Sequence, residues 1–160
     1  MFGAERPGYG SYGAVPATAV TAWLNAMEAR MIERVCCLLD NSQLASYEPA
    51  LLGAYEARFG AANVLHAPIA DFTVCELDLF RNQVLPFLRE SEQNGRRVVV
   101  HCSAGVGRTG HVLAAWLVAS EALSPEEAER AVRESGADRR PFEAGRQAVL
   151  TLLRGVAAPR

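Results

Sequence analysis

Residues 101–110 read His-Cys-Ser-Ala-Gly-Val-Gly-Arg-Thr-Gly. They follow the β-branched run Val98-Val99-Val100 and precede an amphipathic stretch from His111 to Ala122, so the chain passes here from strand to glycine-bearing loop to helix start. Cys102 and Arg108 bracket Ser103, Ala104, Gly105, Val106 and Gly107, none of them charged. A loop of this kind entering a helix turns backbone N–H groups inward, and the helix adds its unpaired N-terminal donors and the positive end of its dipole. Arg108 closes the loop with a planar fork able to grip two oxygens of a phosphate. A thiol at a helix N-terminus beside an arginine is stabilised as the thiolate, which is the nucleophilic form. The pattern predicts a cysteine nucleophile beneath a phosphate cradle.

The rest of the chain reads as the frame for that loop. Val20, Trp23, Leu24, Met27 and Met31 repeat at helical spacing behind Thr18 or Thr21 as cap. Val35-Cys36-Cys37-Leu38-Leu39 predicts a buried strand whose adjacent cysteines point to opposite faces. One helix is expected to carry Leu44, Leu51, Leu52, Tyr55 and Phe59 and to stop at Gly60, followed by the short strand Val64-Leu65-His66. Leu77, Phe80, Val84, Phe87 and Leu88 mark a third helix that Pro86 can kink. Arg97–His101 is the strand before the loop, Ser124-Pro125-Glu126-Glu127 is a helix start with a capping box, and a last helix spans about Phe142 to Leu153. Helices alternating with buried strands predict an α/β single domain, a central mostly parallel sheet flanked by helices. Ligands of such sheets bind beyond the carboxyl ends of the strands, where Cys102 falls.

Composition bounds the function classes. A chain of 160 residues suits one core, expected to occupy 17–160, while Gly- and Tyr-rich residues 1–16 read as a flexible or surface-draped N-terminal arm rather than a signal peptide. No run approaches a membrane span, and a net charge of −2 favours neither a nucleic-acid nor an anionic-membrane partner. Cysteines 36, 37, 75 and 102 follow no disulfide or zinc spacing, which points to a reducing, cytoplasmic setting. All 16 basic residues are arginine, which we read as genome composition rather than chemistry.

The stretch His101–Gly110 resembles the His-Cys-x5-Arg-Ser/Thr motif of the cysteine-dependent protein tyrosine and dual-specificity phosphatase superfamily, in its compact form. The resemblance implies a phosphatase-like P-loop between a strand and a helix, with Cys102 as nucleophile and Arg108 as phosphate clamp. It also implies a supporting hydroxyl at Thr109, phosphate binding by residues Ser103 to Gly107, and a loop-orienting His101. Such enzymes take a general acid from an upstream loop, and the segment Pro68-Ile69-Ala70-Asp71-Phe72 matches at Asp71. Asp78 is the nearby rival, but it lies in a predicted helix. The implied reaction is phosphomonoester hydrolysis through a cysteinyl-phosphate, on phosphorylated proteins or peptides, with no metal and no cofactor. Two other readings share the loop: a phosphatase for a non-protein phosphate such as a phosphoinositide or small phosphoester, and a phosphopeptide-binding module. Neutral loop residues count against the first; the presence of Cys102 and Asp71 counts against the second. Further residues carry weaker expectations: Gln147 as a water-positioning group, Arg139-Arg140 as a solvated pair or an anion attractor, and His66 and His111 as structural rather than metal-ligating. Cys75 reads as an inert buried thiol, or as a disulfide partner for Cys102 under oxidation. The sequence leaves the oligomeric state open.

Overall fold

The computed structural model describes residues 1–11, 13–136 and 138–157. Strands β1 (Phe2–Ala4), β2 (Arg34–Cys37), β3 (Val64–His66) and β4 (Val98–His101) form a parallel sheet of order β1-β4-β2-β3. Helices cover both faces, as parallel strands joined by helical crossovers require. On one face α1 (Ala17–Ala29) and α3 (Leu51–Phe59) pack over Val35, Cys37 and Val99. On the other, α5 (Leu85–Gln93), α6 (Gly107–Glu121), α7 (Pro125–Glu134) and α8 (Arg146–Ala157) pack over Cys36, Val98 and Val100. Cys36 and Cys37 therefore do face opposite layers, by strand alternation.

Residues 2–4 depart from the arm expected of the N-terminus. They pair with Val99, Val100 and His101 as an edge strand. The physical reason is that β4 would otherwise leave one row of backbone donors and acceptors open, and any extended segment can close it regardless of side chains. Val15 is also buried, donating its N–H to Ser46 O, and Trp23 Nε1 donates to Glu5 O.

Other boundaries moved for local reasons. The single helix expected from Leu44 to Phe59 is two, α2 (Asn41–Leu44) and α3, because Pro49 excludes the residue before it from helical backbone. Helix α1 starts from Pro16 with no side-chain cap, while Thr21 Oγ1 donates back to Ala17 O. The third helix runs as α4 (Leu77–Leu79), a π-helical turn (Phe80–Val84) and α5 without a break; Pro86, which has no N–H to give to the preceding turn, follows directly on the π-helical turn. The last helix begins at Arg146, after Gly145, rather than at Phe142. The capping box at Ser124 and Glu127 is formed as read. Helix α6, expected to be amphipathic, is buried from Gly107 through Trp116. It is wedged among α7, α8 and the sheet, so its polar residues Arg108, Thr109 and His111 are removed from water.

Candidate active site

Cys102 stands one residue past β4, and the loop it opens feeds directly into α6. Alternation along β4 sends His101 to the α1/α3 face and Cys102 to the other, so the two neighbours have different surroundings. The first helical backbone bond of α6 is Gly110 N–H to Val106 O, which leaves the N–H groups of Gly107, Arg108 and Thr109 without an intrahelical acceptor. A helix of 15 residues thus aims its positive end at Cys102.

Glycine is needed at two loop positions. Gly105 adopts φ +72°, and a Cβ there would lie 2.5 Å from Ala4 O, on the backbone leaving β1. At Gly107 a Cβ would collide with the Glu143 carboxylate. Gly105→Ala is expected to cost about 1–2 kcal/mol from the left-handed backbone alone, and more from the collision. Thermal melting checks this: an unchanged melting temperature would show that the loop and β1 can move apart freely.

The loop is braced from outside. Buried Arg139 donates from Nη1 to Gly105 O at 2.6 Å and from Nη2 to Gly3 O at 2.8 Å, tying the loop to β1. Arg140, its sequence neighbour, instead lines the cleft and pairs with Glu143 at 3.3 Å. The two arginines read as one solvated pair or one anion attractor are in fact divided between a buried brace and a cleft wall. Arg6 donates its N–H to Ser103 O and its Nε to Ser103 Oγ, so the Ser103 hydroxyl has a partner on the N-terminal segment.

His101 is fully buried, with Nδ1 3.1 Å from Cys102 O and Nε2 3.0 Å from the Tyr55 hydroxyl. A carbonyl only accepts, so Nδ1 carries the proton and Tyr55 donates to Nε2. Trp23 stacks on Tyr55 and meets the His101 ring edge-on. On α6, His111 Nε2 accepts the Cys75 N–H, joining this helix to the segment after Asp71. Burial holds His101 at a pKa of about 4, offset in part by the hydrogen bond to Cys102 and reinforced by Arg108. Burial and then Arg108 hold His111 at about 4 as well. Both are neutral in the folded protein, whereas the unfolded chain takes up their protons below about pH 6.5. Stability is therefore expected to fall as pH drops from 6.5 toward 4, by up to about 1.4 kcal/mol per pH unit for each histidine. Urea midpoints at pH 7, 6 and 5 check this, and a flat series would contradict the buried neutral state.

Arg108 is buried and held through both terminal nitrogens. Its Nη1 donates to Ile69 O and to Gln43 Oε1, each at 2.8 Å, and its Nη2 lies 3.0 Å from Asp71 Oδ1. Gln43 Nε2 donates in turn to Asp71 Oδ2 at 3.3 Å. The sequence offered no signal for Gln43, an amide on a four-residue helix. Asp71, Cys102, Ser103, Ala104, Gly107 and Arg108 share one cavity of about 190 Å³, with Tyr9, Phe72, Thr73, Arg140 and Glu143 in its walls. Thr109 is buried with its hydroxyl unpartnered among the described residues. Gly105 and Val106 lie outside the cavity lining. Asp78 is exposed on α4 and Gln147 exposed on α8, both away from the cleft. Burial pushes the Cys75 thiol up to about 12, as for an inert core cysteine. His66 Nε2 is committed to Leu39 O. A larger cavity, about 440 Å³, lies behind the loop between β1 and α1 and contains none of Cys102, Arg108 or Asp71.

Residues 105–110 also satisfy the Gly-x-Gly-x-x-Gly spacing of dinucleotide-binding folds. Those folds need a further strand after the helix to present an acidic residue to the ribose. Here β4 is the last strand among the described residues, and a cysteine and an arginine bracket the turn. The fold and cleft are those of a cysteine-dependent phosphatase.

Residues 19–144 match the family described as dual specificity phosphatase, catalytic domain, and the chain belongs to that family. It is 36% identical over 56 residues to the dual specificity protein phosphatase OPG106 of Vaccinia virus (strain Western Reserve), covering 35% of this chain and 33% of that protein. Over 49 residues it is 43% identical to the RNA/RNP complex-1-interacting phosphatase of Bos taurus, covering 31% of this chain and 15% of that one. The match thus spans a third or less of these two curated relatives. Among solved structures it is similar to Tk-PTP in the active form, with a TM-score of 0.69 and 32% identity over 85% of this chain and 84% of that one.

Proposed function

We propose that the chain is a protein tyrosine and dual-specificity phosphatase working through a cysteinyl-phosphate intermediate. The observation that carries this reading is the meeting of Cys102, Arg108 and Asp71 in one cavity at the N-terminus of α6. Cys102 attacks phosphorus in line, forming the S–P bond as the ester P–O bond breaks. Arg108 and the loop amides from Ser103 to Gly107 hold the equatorial oxygens through the transition state. Asp71 protonates the departing oxygen, then takes a proton from the water that hydrolyses the S–P bond. Thr109, whose buried hydroxyl has no partner among the described residues, donates to the thiolate that leaves in this second step. His101, through Cys102 O, holds the nucleophile's backbone.

Two exposed aromatics favour aryl phosphates, phosphotyrosine foremost, with phosphoserine and phosphothreonine also admitted. Tyr9 and Phe72 stand in the cavity walls, and Phe72 holds φ +56°, a strained conformation for a bulky residue at a cleft mouth. A second reading, a non-protein phosphate of higher charge, would draw on Arg140, but that charge is already met by Glu143 and Asp138. Free, buried Cys36, Cys37 and Cys75 suit a reducing cytoplasmic setting.

A panel of phosphotyrosine and phosphoserine peptides, inositol phosphates and nucleotides, assayed with chelator present, tests the proposal. Peptides should be turned over, phosphotyrosine fastest. Replacing Tyr9 and Phe72 by alanine should narrow the phosphotyrosine preference several-fold. Turnover of inositol phosphates alone would establish the second reading, and phosphopeptide binding without turnover would reduce the protein to a binding module.

A further inference from the structure

Arg108 and Asp71 must part before either can act on a substrate. In this structure they form an ion pair at 3.0 Å, yet catalysis needs the guanidinium on the phosphate and the carboxyl on the leaving oxygen. When an incoming phosphate dianion takes the place of Asp71 on Arg108, Arg108 changes partner and Asp71 loses one. Something else must hold them in register.

Gln43 is built for that task. Its Oε1 accepts from Arg108 Nη1 at 2.8 Å while its Nε2 donates to Asp71 Oδ2 at 3.3 Å. A carboxamide offers an acceptor and a donor side by side on one carbon; a carboxylate has no N–H and a hydrocarbon has neither. The backbone of Gln43 is itself pinned. Asp40 caps α2, accepting the Gln43 N–H at 3.0 Å and the Ser42 hydroxyl, so the side chain starts from a fixed point beside the cleft. Ile69 O supplies a second acceptor on the same Nη1, and it belongs to the loop that carries Asp71.

We propose that Gln43 is a positioning residue that couples the phosphate clamp to the general acid. It holds Arg108 Nη1 in place while Nη2 passes from Asp71 to the substrate phosphate, and it keeps Asp71 over the leaving group once the ion pair has opened. The inference rests on the assignment of Arg108 and Asp71 given under the proposed function.

The test compares wild type, Gln43→Met and Gln43→Glu on an aryl phosphate with a stable leaving anion and on an alkyl phosphate with a poor one. Methionine keeps the length and removes both polar contacts; kcat/KM should fall about tenfold on the aryl phosphate, the loss of one hydrogen bond to a charged group, and further on the alkyl phosphate. Glutamate restores the acceptor for Arg108 but sets a second carboxylate against Asp71. It should therefore recover aryl phosphate turnover to within about threefold of wild type while leaving the alkyl phosphate impaired. Melting temperatures of all three proteins should agree within a few degrees, Gln43 being only partly buried on a short helix. Wild-type rates on both substrates in Gln43→Met would overturn the proposal. So would equal losses on both substrates in Gln43→Glu, or losses that merely track a lowered melting temperature. Failure of the underlying reading is separate and visible first, as no turnover by the wild type.

Discussion

Cys102→Ser is expected to abolish turnover, below about 10⁻⁴ of the wild-type rate, while phosphopeptide binding stays within a few-fold. The hydroxyl is close in size to the thiol it replaces, and Cys102 is buried at the head of α6, so the cradle keeps its shape. Serine is not ionised at neutral pH, however, and the first step needs Asp71 as an acid, so Asp71 is not free to take the serine proton. His101, the adjacent candidate, has Nδ1 committed to Cys102 O and Nε2 to Tyr55, and burial keeps it neutral. Steady-state assays together with calorimetric titration of a phosphopeptide into the variant separate chemistry from binding. Activity near wild type would end the covalent mechanism. Weak binding with no activity would mean that the thiolate itself organises the loop.

Asp71→Asn is expected to slow alkyl phosphate hydrolysis by about 10²–10⁴-fold, the usual worth of a positioned general acid. The loss should shrink for an aryl phosphate whose leaving group is already a stable anion, since it needs no proton. Asparagine keeps an oxygen for Arg108 Nη2 in place of Oδ1 but sets an amide nitrogen where Oδ2 accepts from Gln43 Nε2, so it is the leaving-group dependence that separates lost proton transfer from the lost contact. A residue that only shaped the turn would affect both substrates alike. Equal losses on the two esters, or a leaving-group-dependent loss in Asp78→Asn instead, would move the acid elsewhere. The second outcome would be surprising, because Asp78 lies exposed on α4 outside the cavity.

These two residues illustrate how far the primary structure reaches. Cys102, Arg108 and the glycines between them are legible because the anion cradle is local: a loop of adjacent residues and one helix terminus make it, so the chemistry is written in consecutive letters. Asp71 is legible only at one remove, since its role depends on a loop folding back over a cleft made elsewhere. The central strands β2 and β4 were readable as short apolar runs because both are buried throughout, and the longer helices α1 and α3 from periodicity because each buries one side.

What the tertiary structure decided is everything that depends on non-local backbone and on polar groups finding buried partners. Residues 2–4 carry no strand pattern, yet they become β1 because β4 offers an unpaired edge. Arg139 and Arg140 are adjacent and chemically identical, yet one is buried across Gly3 and Gly105 while the other faces the cleft. Gln43, a lone amide with no motif around it, comes to bridge Arg108 and Asp71 because the fold brings α2 to the Ile69–Asp71 loop. A side chain's identity sets which bonds it can make; only the packed chain determines which partner is within 3 Å of it when water is excluded.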